Sequence, residues 1–109
     1  MSERFADVVA RLEATIASRK GADPQSSYTA KLLGGGPDVT AKKFGEEAIE
    51  TALAAVKGDS EHVAAESADL IYHWLVVLAA AGVSLDEVAA KLEAREGTSG
   101  LAEKAARKS

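Results

Sequence analysis

Two groups of carboxylates carry the strongest chemical signal in this sequence. The first is Glu46, Glu47 and Glu50, in the stretch GEEAIE, and the second is Glu66 and Asp69. A spacing of three or four residues places side chains on one side of a helix. Like charges at that spacing destabilise an isolated helix. The pattern therefore indicates a function for the negative charge.

The carboxylates are expected to border the buried sides of two adjacent helices. An apolar stripe runs beside Glu46 and Glu50, and it consists of Ile49, Ala52, Leu53 and Val56. On the next helix, Glu66, Asp69 and His73 share a face that continues into Val77. Partly buried carboxylates without partners are costly, and neither face carries enough Lys or Arg to neutralise them. Oxygen ligands and negative charge suit Mg²⁺, or Mn²⁺ in its place, so the pairs 47/50 and 66/69 predict a site for a divalent cation.

An alternative reading is a solvated acidic edge that makes ordinary salt bridges along its helices. A single ExxE would favour that reading, whereas two groups joined by a short turn favour the metal site. Imidazole is not a preferred Mg²⁺ ligand, so His73 is given an indirect role at most. Tyr72 and Trp74 are most simply core or interface residues.

Basic and polar residues elsewhere could bind an anion. Lys42 and Lys43 lie in the first turns of the predicted third helix, where the helix dipole disfavours cations unless an anion is close. Ser99 lies in a turn that could bind phosphate. Further candidates are Tyr28, Lys31, Arg95 and Lys104. The alternatives are surface solubility for each Lys and a helix cap for Ser99.

The periodicity of apolar residues and the turn residues predict five helices. Their expected ranges are 3–20, 27–33, 38–57, 60–81 and 85–94. Residues 34–37 are expected to form a loop, and Asp38 to cap the third helix. The turn at residues 58–60 is short, so the third and fourth helices are expected to be antiparallel neighbours. Ser84 and Glu87 fit a capping box.

Composition bounds the class of protein. The chain has 109 residues, abundant Ala and no Cys, which favours one all-α domain over residues 1–109 without disulfides. A net charge of −4 argues against a protein that coats nucleic acid. No signal peptide is recognisable, and the apolar run 74–82 falls short of the ~20 residues of a membrane span. The expected location is the cytoplasm.

The fourth helix is apolar nearly all round between residues 70 and 81. A helix of that kind is buried on all sides, which a domain this small can hardly achieve alone. We therefore expect a second copy of the chain to cover it. The alternative is a four-helix packing that is closed by the first and fifth helices.

Longer stretches of the chain match a known family. The stretches SSYTAKLL, KKFGEEAIE, AAESADLIYHWLV and REGTSGLAEKAAR, in this order, closely resemble the phosphoribosyl-ATP pyrophosphohydrolase family. That family belongs to the all-α nucleotide pyrophosphohydrolases of the MazG type, whose mark is EExxE followed by ExxD. The resemblance covers residues from about 8 to 107.

This resemblance implies a function. The family hydrolyses phosphoribosyl-ATP to phosphoribosyl-AMP and pyrophosphate in the second step of histidine biosynthesis. The resemblance also implies a MazG-like bundle of four to five helices that forms an intertwined homodimer. Carried over to this chain, the Mg²⁺ ligands are Glu47, Glu50, Glu66 and Asp69, and Glu46 is a candidate base or an indirect partner of the attacking water. Two rivals stay open: a housekeeping nucleoside triphosphate pyrophosphohydrolase and a non-enzymatic helical interaction module.

Overall fold

The computed structural model describes residues 3–97, 104 and 107. Within residues 3–97 every regular element is an α-helix, which confirms the all-α prediction. The helices are α1 (Glu3–Ser18), α2 (Tyr28–Gly34), α3 (Gly36–Lys57), α4 (Ser60–Ala81) and α5 (Leu85–Glu93). The longest two, α3 and α4, pack along each other, α1 packs on α4, and α2 packs on both α3 and α4.

The junction between α2 and α3 is tighter than the sequence predicts. Instead of a loop over residues 34–37, Gly35 alone separates the two helices, and Asp38 lies in the first turn of α3 without capping it. Pro37 is tolerated there because a first-turn residue has no intrahelical partner for its N–H. A Cβ at Gly35 would lie 2.7 Å from the side chain of Val39, so this connection requires a glycine.

The turn between α3 and α4 agrees with the prediction. Gly58 ends α3 with a left-handed backbone at φ 75°, a conformation that glycine adopts without steric cost. Asp59 then caps α4, because its side chain accepts a hydrogen bond of 3.1 Å from the His62 backbone N–H. The two helices are therefore antiparallel neighbours joined by only two residues.

One hydrophobic core lies among α1, α2 and α4. Its buried residues are Ile16, Leu32, Leu75 and Val76, with Trp74, Ile71 and Leu12 among the partly buried side chains around them. Ile16 and Val76 are almost completely inaccessible to solvent, and burying each contributes about 1.5–3 kcal/mol. This core occupies one side of α4 and leaves the side that faces α3 available for polar residues.

The apolar stripe of α3 is not buried by this chain, so the expectation of a buried stripe is wrong for a single copy. Ile49, Leu53 and Val56 are 64%, 56% and 84% exposed. The buried residues of α3 are instead the small side chains Thr40 and Ala54. The larger apolar side chains of this helix point away from the rest of the chain.

Helix α4 is long and apolar enough to cross a membrane by length and composition alone, with a hydropathy of 1.4 over its most apolar window. The same composition is found in core helices of soluble proteins. Here His73, Leu75 and Val76 are buried against the rest of the chain. Only 17% of the window is buried, so α4 keeps much of its apolar surface partly exposed. Cover by a second copy stays a prediction.

Helix α5 begins at the predicted capping box. The Ser84 side chain accepts a hydrogen bond from the Glu87 N–H, and the Glu87 carboxylate accepts one from the Ser84 N–H. The Leu85 backbone N–H donates a further hydrogen bond of 2.8 Å to Glu13 of α1. That bond attaches the start of α5 to the bundle beside the core.

Candidate metal centre

The turn after α3 sets the carboxylates opposite each other. Glu47 and Asp69 lie at similar distances from the turn, about 15 Å along their respective helices. Glu50 and Glu66 form a second matched pair, about 10 Å from the turn. Because the helices are antiparallel, residues at equal distances from the turn are neighbours. The spacing of three on each helix therefore places the two pairs on adjacent turns of the two helices.

Three of the four predicted ligands converge. One carboxylate oxygen from each of Glu47, Glu66 and Asp69 lies within 4.8 Å of the other two. Glu47 Oε2 and Glu66 Oε2 are buried and have no hydrogen-bond partner. A buried carboxylate oxygen without a donor is costly, so the arrangement is one that a bound cation would stabilise.

Burial, together with the neighbouring carboxylates, raises the pKa of Glu47 above its ordinary value of 4.5. Burial is the largest cause, because it penalises the charged form. Hydrogen bonding and repulsion from Glu50, together with repulsion from Asp69, act in the same direction, while His73 opposes them. The site therefore stores electrostatic repulsion that a divalent cation would relieve.

Glu50 lies at the edge of this group. Its side chain is exposed, and it interacts with Glu47 but is not among the three converging carboxylates. Glu46 is exposed on the neighbouring position of α3, where its carboxylate lies 3.5 Å from Lys43 Nζ. The structure thus brings Glu47, Glu66 and Asp69 together, places Glu50 beside them, and directs Glu46 toward a lysine.

A small cavity next to the carboxylates contains two residues that the sequence analysis missed. Its volume is about 210 Å³, and it is lined by Glu50, Leu53, Ala54, Lys57, His62 and Glu66. His62 Nε2 lies 3.3 Å from Glu66 Oε1. The spacing of four between His62 and Glu66 could have revealed this contact, because such residues are neighbours on a helix. Lys57 and His62 therefore line the same cavity as the carboxylates of Glu50 and Glu66.

His73 is fixed on the same side of α4. It is 93% buried, since 7% of its surface is exposed. Its Nδ1 lies 2.8 Å from the backbone carbonyl oxygen of Asp69, and its ring packs edge-on against Tyr72, with ring centres 4.9 Å apart. Tyr72 in turn shares a hydrogen bond of 2.6 Å with Thr29, which ties α2 to α4 beside the site.

The predicted anion-binding residues are brought together less closely than the carboxylates. Tyr28 is 53% exposed, and its ring centre lies 6.4 Å from that of His73. Lys43 pairs with Glu46. Those at the surface are Lys31, Lys42, Arg95 and Lys104. Ser99 lies outside the described residues, so its proposed role is untested.

Comparison with known proteins identifies close relatives. A family model described as phosphoribosyl-ATP pyrophosphohydrolase matches residues 9–96. A protein of Caulobacter vibrioides (strain NA1000 / CB15N) is 66% identical over 98% of this chain and 99% of its own length. A relative from Caulobacter sp. (strain K31) is 65% identical over 100% of this chain and 100% of its own length. A relative from Dinoroseobacter shibae is 63% identical over 92% of this chain and 98% of its own length. All three are named phosphoribosyl-ATP pyrophosphatase.

Proposed function

The chain belongs to the phosphoribosyl-ATP pyrophosphohydrolase family, and we propose from this membership that it hydrolyses phosphoribosyl-ATP. Water enters, the anhydride between the α and β phosphates breaks, and the products are phosphoribosyl-AMP and pyrophosphate. This is the second step of histidine biosynthesis. The observation that supports the proposal best is the convergence of Glu47, Glu66 and Asp69 in a chain so similar to its named relatives.

The residues at the site fit a hard divalent cation. All the donors are carboxylate oxygens, which suit Mg²⁺ and, as a substitute, Mn²⁺. Two of these oxygens are buried without a hydrogen-bond donor. Glu47, Glu66 and Asp69 would hold the ion, and Glu50 would join them at the edge. When bound, Mg²⁺ supplies positive charge that neutralises the triphosphate oxygens and polarises the attacked phosphorus.

The chain's own side chains would bind and orient the substrate. Lys42, Lys43, Arg95 and Lys104 are proposed to stabilise the negative charge of the leaving pyrophosphate. Tyr28, Lys31 and Ser99 are proposed to contact the rest of the substrate, and the nearness of Tyr28 to His73 supports its part. Glu46 is proposed as the base that orients or deprotonates the attacking water.

A second copy of the chain is the proposed cover of the exposed apolar side chains of α3. Ile49, Leu53 and Val56 lie on one face of the helix and are more than half exposed. A two-fold axis would pair this face with itself, and it would also shield the incompletely covered α4. The homodimer would be intertwined if α4 of each copy packs between the helices of the other.

The proposed location is the cytoplasm, where the substrate is a small soluble molecule. A net charge of −4 does not favour nucleic acid as a partner. Helix α4 carries Glu66 and Asp69 together with His73, and charged groups inside a membrane are costly. We therefore propose neither a membrane nor a nucleic acid as a partner.

A turnover assay tests the activity. Purified protein is offered phosphoribosyl-ATP, and in parallel ATP and the other common nucleoside triphosphates, with Mg²⁺ or with a chelator. We expect release of pyrophosphate from phosphoribosyl-ATP only when Mg²⁺ is present, with a much higher kcat/KM than for any ordinary nucleotide.

Two results would overturn the proposal. A preference for ordinary nucleotides would make the chain a housekeeping pyrophosphohydrolase. Absence of pyrophosphate release from every substrate, with folded protein and saturating Mg²⁺, would make it an interaction module.

A further inference from the structure

Three buried side-chain atoms in the described part of the chain have no hydrogen-bond partner. They belong to two residues of the acidic site and to a residue one helical turn from Asp69. Two are the carboxylate oxygens Glu47 Oε2 and Glu66 Oε2, and the third is His73 Nε2. A buried polar atom without a partner costs about 1–3 kcal/mol. The orphaned carboxylate oxygens fit a cation, but a nitrogen beside them requires a separate explanation.

The proton on the His73 ring can be assigned from its contact. A backbone carbonyl oxygen can only accept a hydrogen bond, and the Asp69 carbonyl oxygen lies 2.8 Å from Nδ1. Nδ1 therefore carries the proton. In the neutral ring Nε2 then has a free lone pair and can only accept. The ring cannot easily rotate away, because Tyr72 and Tyr28 both pack around it.

His73 lies beside the converging carboxylates but is not one of the group. Its Nδ1 contacts the backbone carbonyl oxygen of Asp69, and residues four apart lie on one side of a helix, so the ring is adjacent to one member of the group. However, neither ring nitrogen is part of the cluster in which the oxygens of Glu47, Glu66 and Asp69 lie within 4.8 Å of one another. The lone pair thus belongs to a residue beside the converging carboxylates but outside their group.

We propose that His73 Nε2 accepts a hydrogen bond from the hydration shell of the divalent cation held by Glu47, Glu66 and Asp69. The inference rests on the cation site of the proposed function. Mg²⁺ keeps several of its waters when it binds to protein carboxylates, and a water polarised by a cation is a strong donor. His73 is therefore a positioning residue that fixes the orientation of this shell.

Long-range ¹H–¹⁵N correlation spectra of the histidine rings test the assignment in the unmodified protein. The chain has two histidines, and His62→Gln identifies the signals of His73. Without metal we expect a pyrrole-type signal for Nδ1 and a pyridine-type signal for Nε2. Saturation with Mg²⁺ alone should move the Nε2 signal upfield, as for a stronger hydrogen bond, and leave Nδ1 protonated.

The inference is overturned if His73 is protonated at Nε2, or if its Nε2 signal does not move when Mg²⁺ saturates the site. It also falls if Mg²⁺ does not bind. None of these spectra involves the substrate, so they stand apart from the turnover assay. A protein that turns over phosphoribosyl-ATP with a static His73 signal would keep its proposed function and lose this inference.

Two matched variants separate positioning from a structural role. His73→Gln places an acceptor roughly where Nε2 lies, whereas His73→Asn keeps a donor roughly where Nδ1 lies. If Nε2 holds the hydration shell, Mn²⁺ affinity measured by electron paramagnetic resonance should stay near the wild-type value in His73→Gln. In His73→Asn it should fall about 10–100-fold, as for other partners that orient a metal site.

The opposite order, with His73→Asn close to wild type and His73→Gln impaired, would show that the ring serves only to hold the Asp69 carbonyl. Equal affinities in both variants and wild type would also overturn the inference. If either variant fails to fold, the spectra of the unmodified chain still decide the question.

Discussion

Glu47 Oε2 on α3 and Glu66 Oε2 on α4 are both buried, and neither accepts a hydrogen bond. The two carboxylates come from different helices. Both belong to the group in which one oxygen from each of Glu47, Glu66 and Asp69 lies within 4.8 Å of the other two. In the metal-free chain this pairing opposes folding, because like charges are held close together and two of the oxygens are buried. The fold therefore sacrifices some stability at the position where a cation would bind.

Removing one charge from the pair should stabilise the metal-free protein and greatly lower its activity. Glu66→Gln keeps the shape of the side chain but relieves the repulsion, so we expect the free energy of unfolding to rise by about 1 kcal/mol without metal. Turnover should fall by about 10²–10⁴-fold, since a metal ligand is worth several kcal/mol. Urea unfolding with and without Mg²⁺, together with the turnover assay, measures both.

The matched control is Glu61→Gln, an exposed carboxylate in the first turn of the same helix. It should lower stability slightly through loss of a favourable interaction with the helix dipole and should leave turnover intact. Should Glu66→Gln destabilise the metal-free protein as Glu61→Gln does, the two orphaned oxygens are not under strain.

The raised pKa of Glu47 predicts how stability depends on pH. Below the ordinary value of 4.5, Glu47 is protonated in both the folded and the unfolded chain and contributes nothing. As the pH rises through the higher folded pKa, the folded state must hold an unfavourable charge, so stability is lost. Relative to Glu47→Gln, the metal-free wild type should therefore become progressively less stable from about pH 4.5 upward and then level off.

Saturating Mg²⁺ should reverse this dependence, because the cation requires the ionised carboxylate and its stabilising effect grows with pH. Urea unfolding at a series of pH values, with and without Mg²⁺, gives both curves. If the metal-free wild type and Glu47→Gln run parallel over the whole range, Glu47 has an ordinary pKa.

Glu46 and Glu50 should fail in different ways when changed to glutamine. Glu50 interacts directly with Glu47, so Glu50→Gln should weaken both Mg²⁺ binding and turnover. Glu46 contacts Lys43 instead. Because Glu46 is the proposed base, Glu46→Gln should lower kcat about 10²–10⁴-fold. The Mg²⁺ affinity of this variant should stay at the wild-type value. Isothermal titration with Mg²⁺ alone measures metal affinity, and the turnover assay measures kcat. An undiminished kcat in Glu46→Gln would show that Glu46 is not the base.

The sequence predicts the helices and the acidic site because local signals determine both. Ser84 and Glu87 specify the start of α5, and Gly58 specifies the turn that aligns α3 with α4. Since that turn fixes the register, spacing alone places Glu47 opposite Asp69. The error at Asp38 has the same local origin: a proline can enter the first turn of a helix, so the Gly-rich stretch does not have to be a loop.

The orientation of α3 could not be read from its own periodicity. An apolar stripe indicates which side of a helix must be covered, but it does not indicate which chain covers it. The small residues Thr40 and Ala54 are buried, whereas Val56 is exposed. The closeness of His62 to Glu66 was missed for a different reason, because a lone histidine in a first turn resembles an ordinary surface residue.

Gly45 lies within α3 immediately before the carboxylates, where glycine is unfavourable. A Cβ added there would meet nothing within 4 Å. Gly45→Ala should therefore raise the free energy of unfolding by about 0.5–1 kcal/mol. If the substrate approaches the backbone at this point, the added methyl group should raise KM without changing Mg²⁺ affinity. Gly58→Ala is the contrasting control, since its left-handed backbone makes alanine destabilising by about 1–2 kcal/mol.

The exposed apolar side chains of α3 predict how the proposed homodimer should respond to an introduced charge. Val56 is 84% exposed, so Val56→Lys costs little in an isolated chain. At the centre of a two-fold contact it would bury two like charges and should weaken dimerisation at least about tenfold. Sedimentation velocity at several protein concentrations measures this, with Ala89→Lys on the exposed side of α5 as the control. A wild type that stays monomeric at every concentration would show that a second copy does not cover this face.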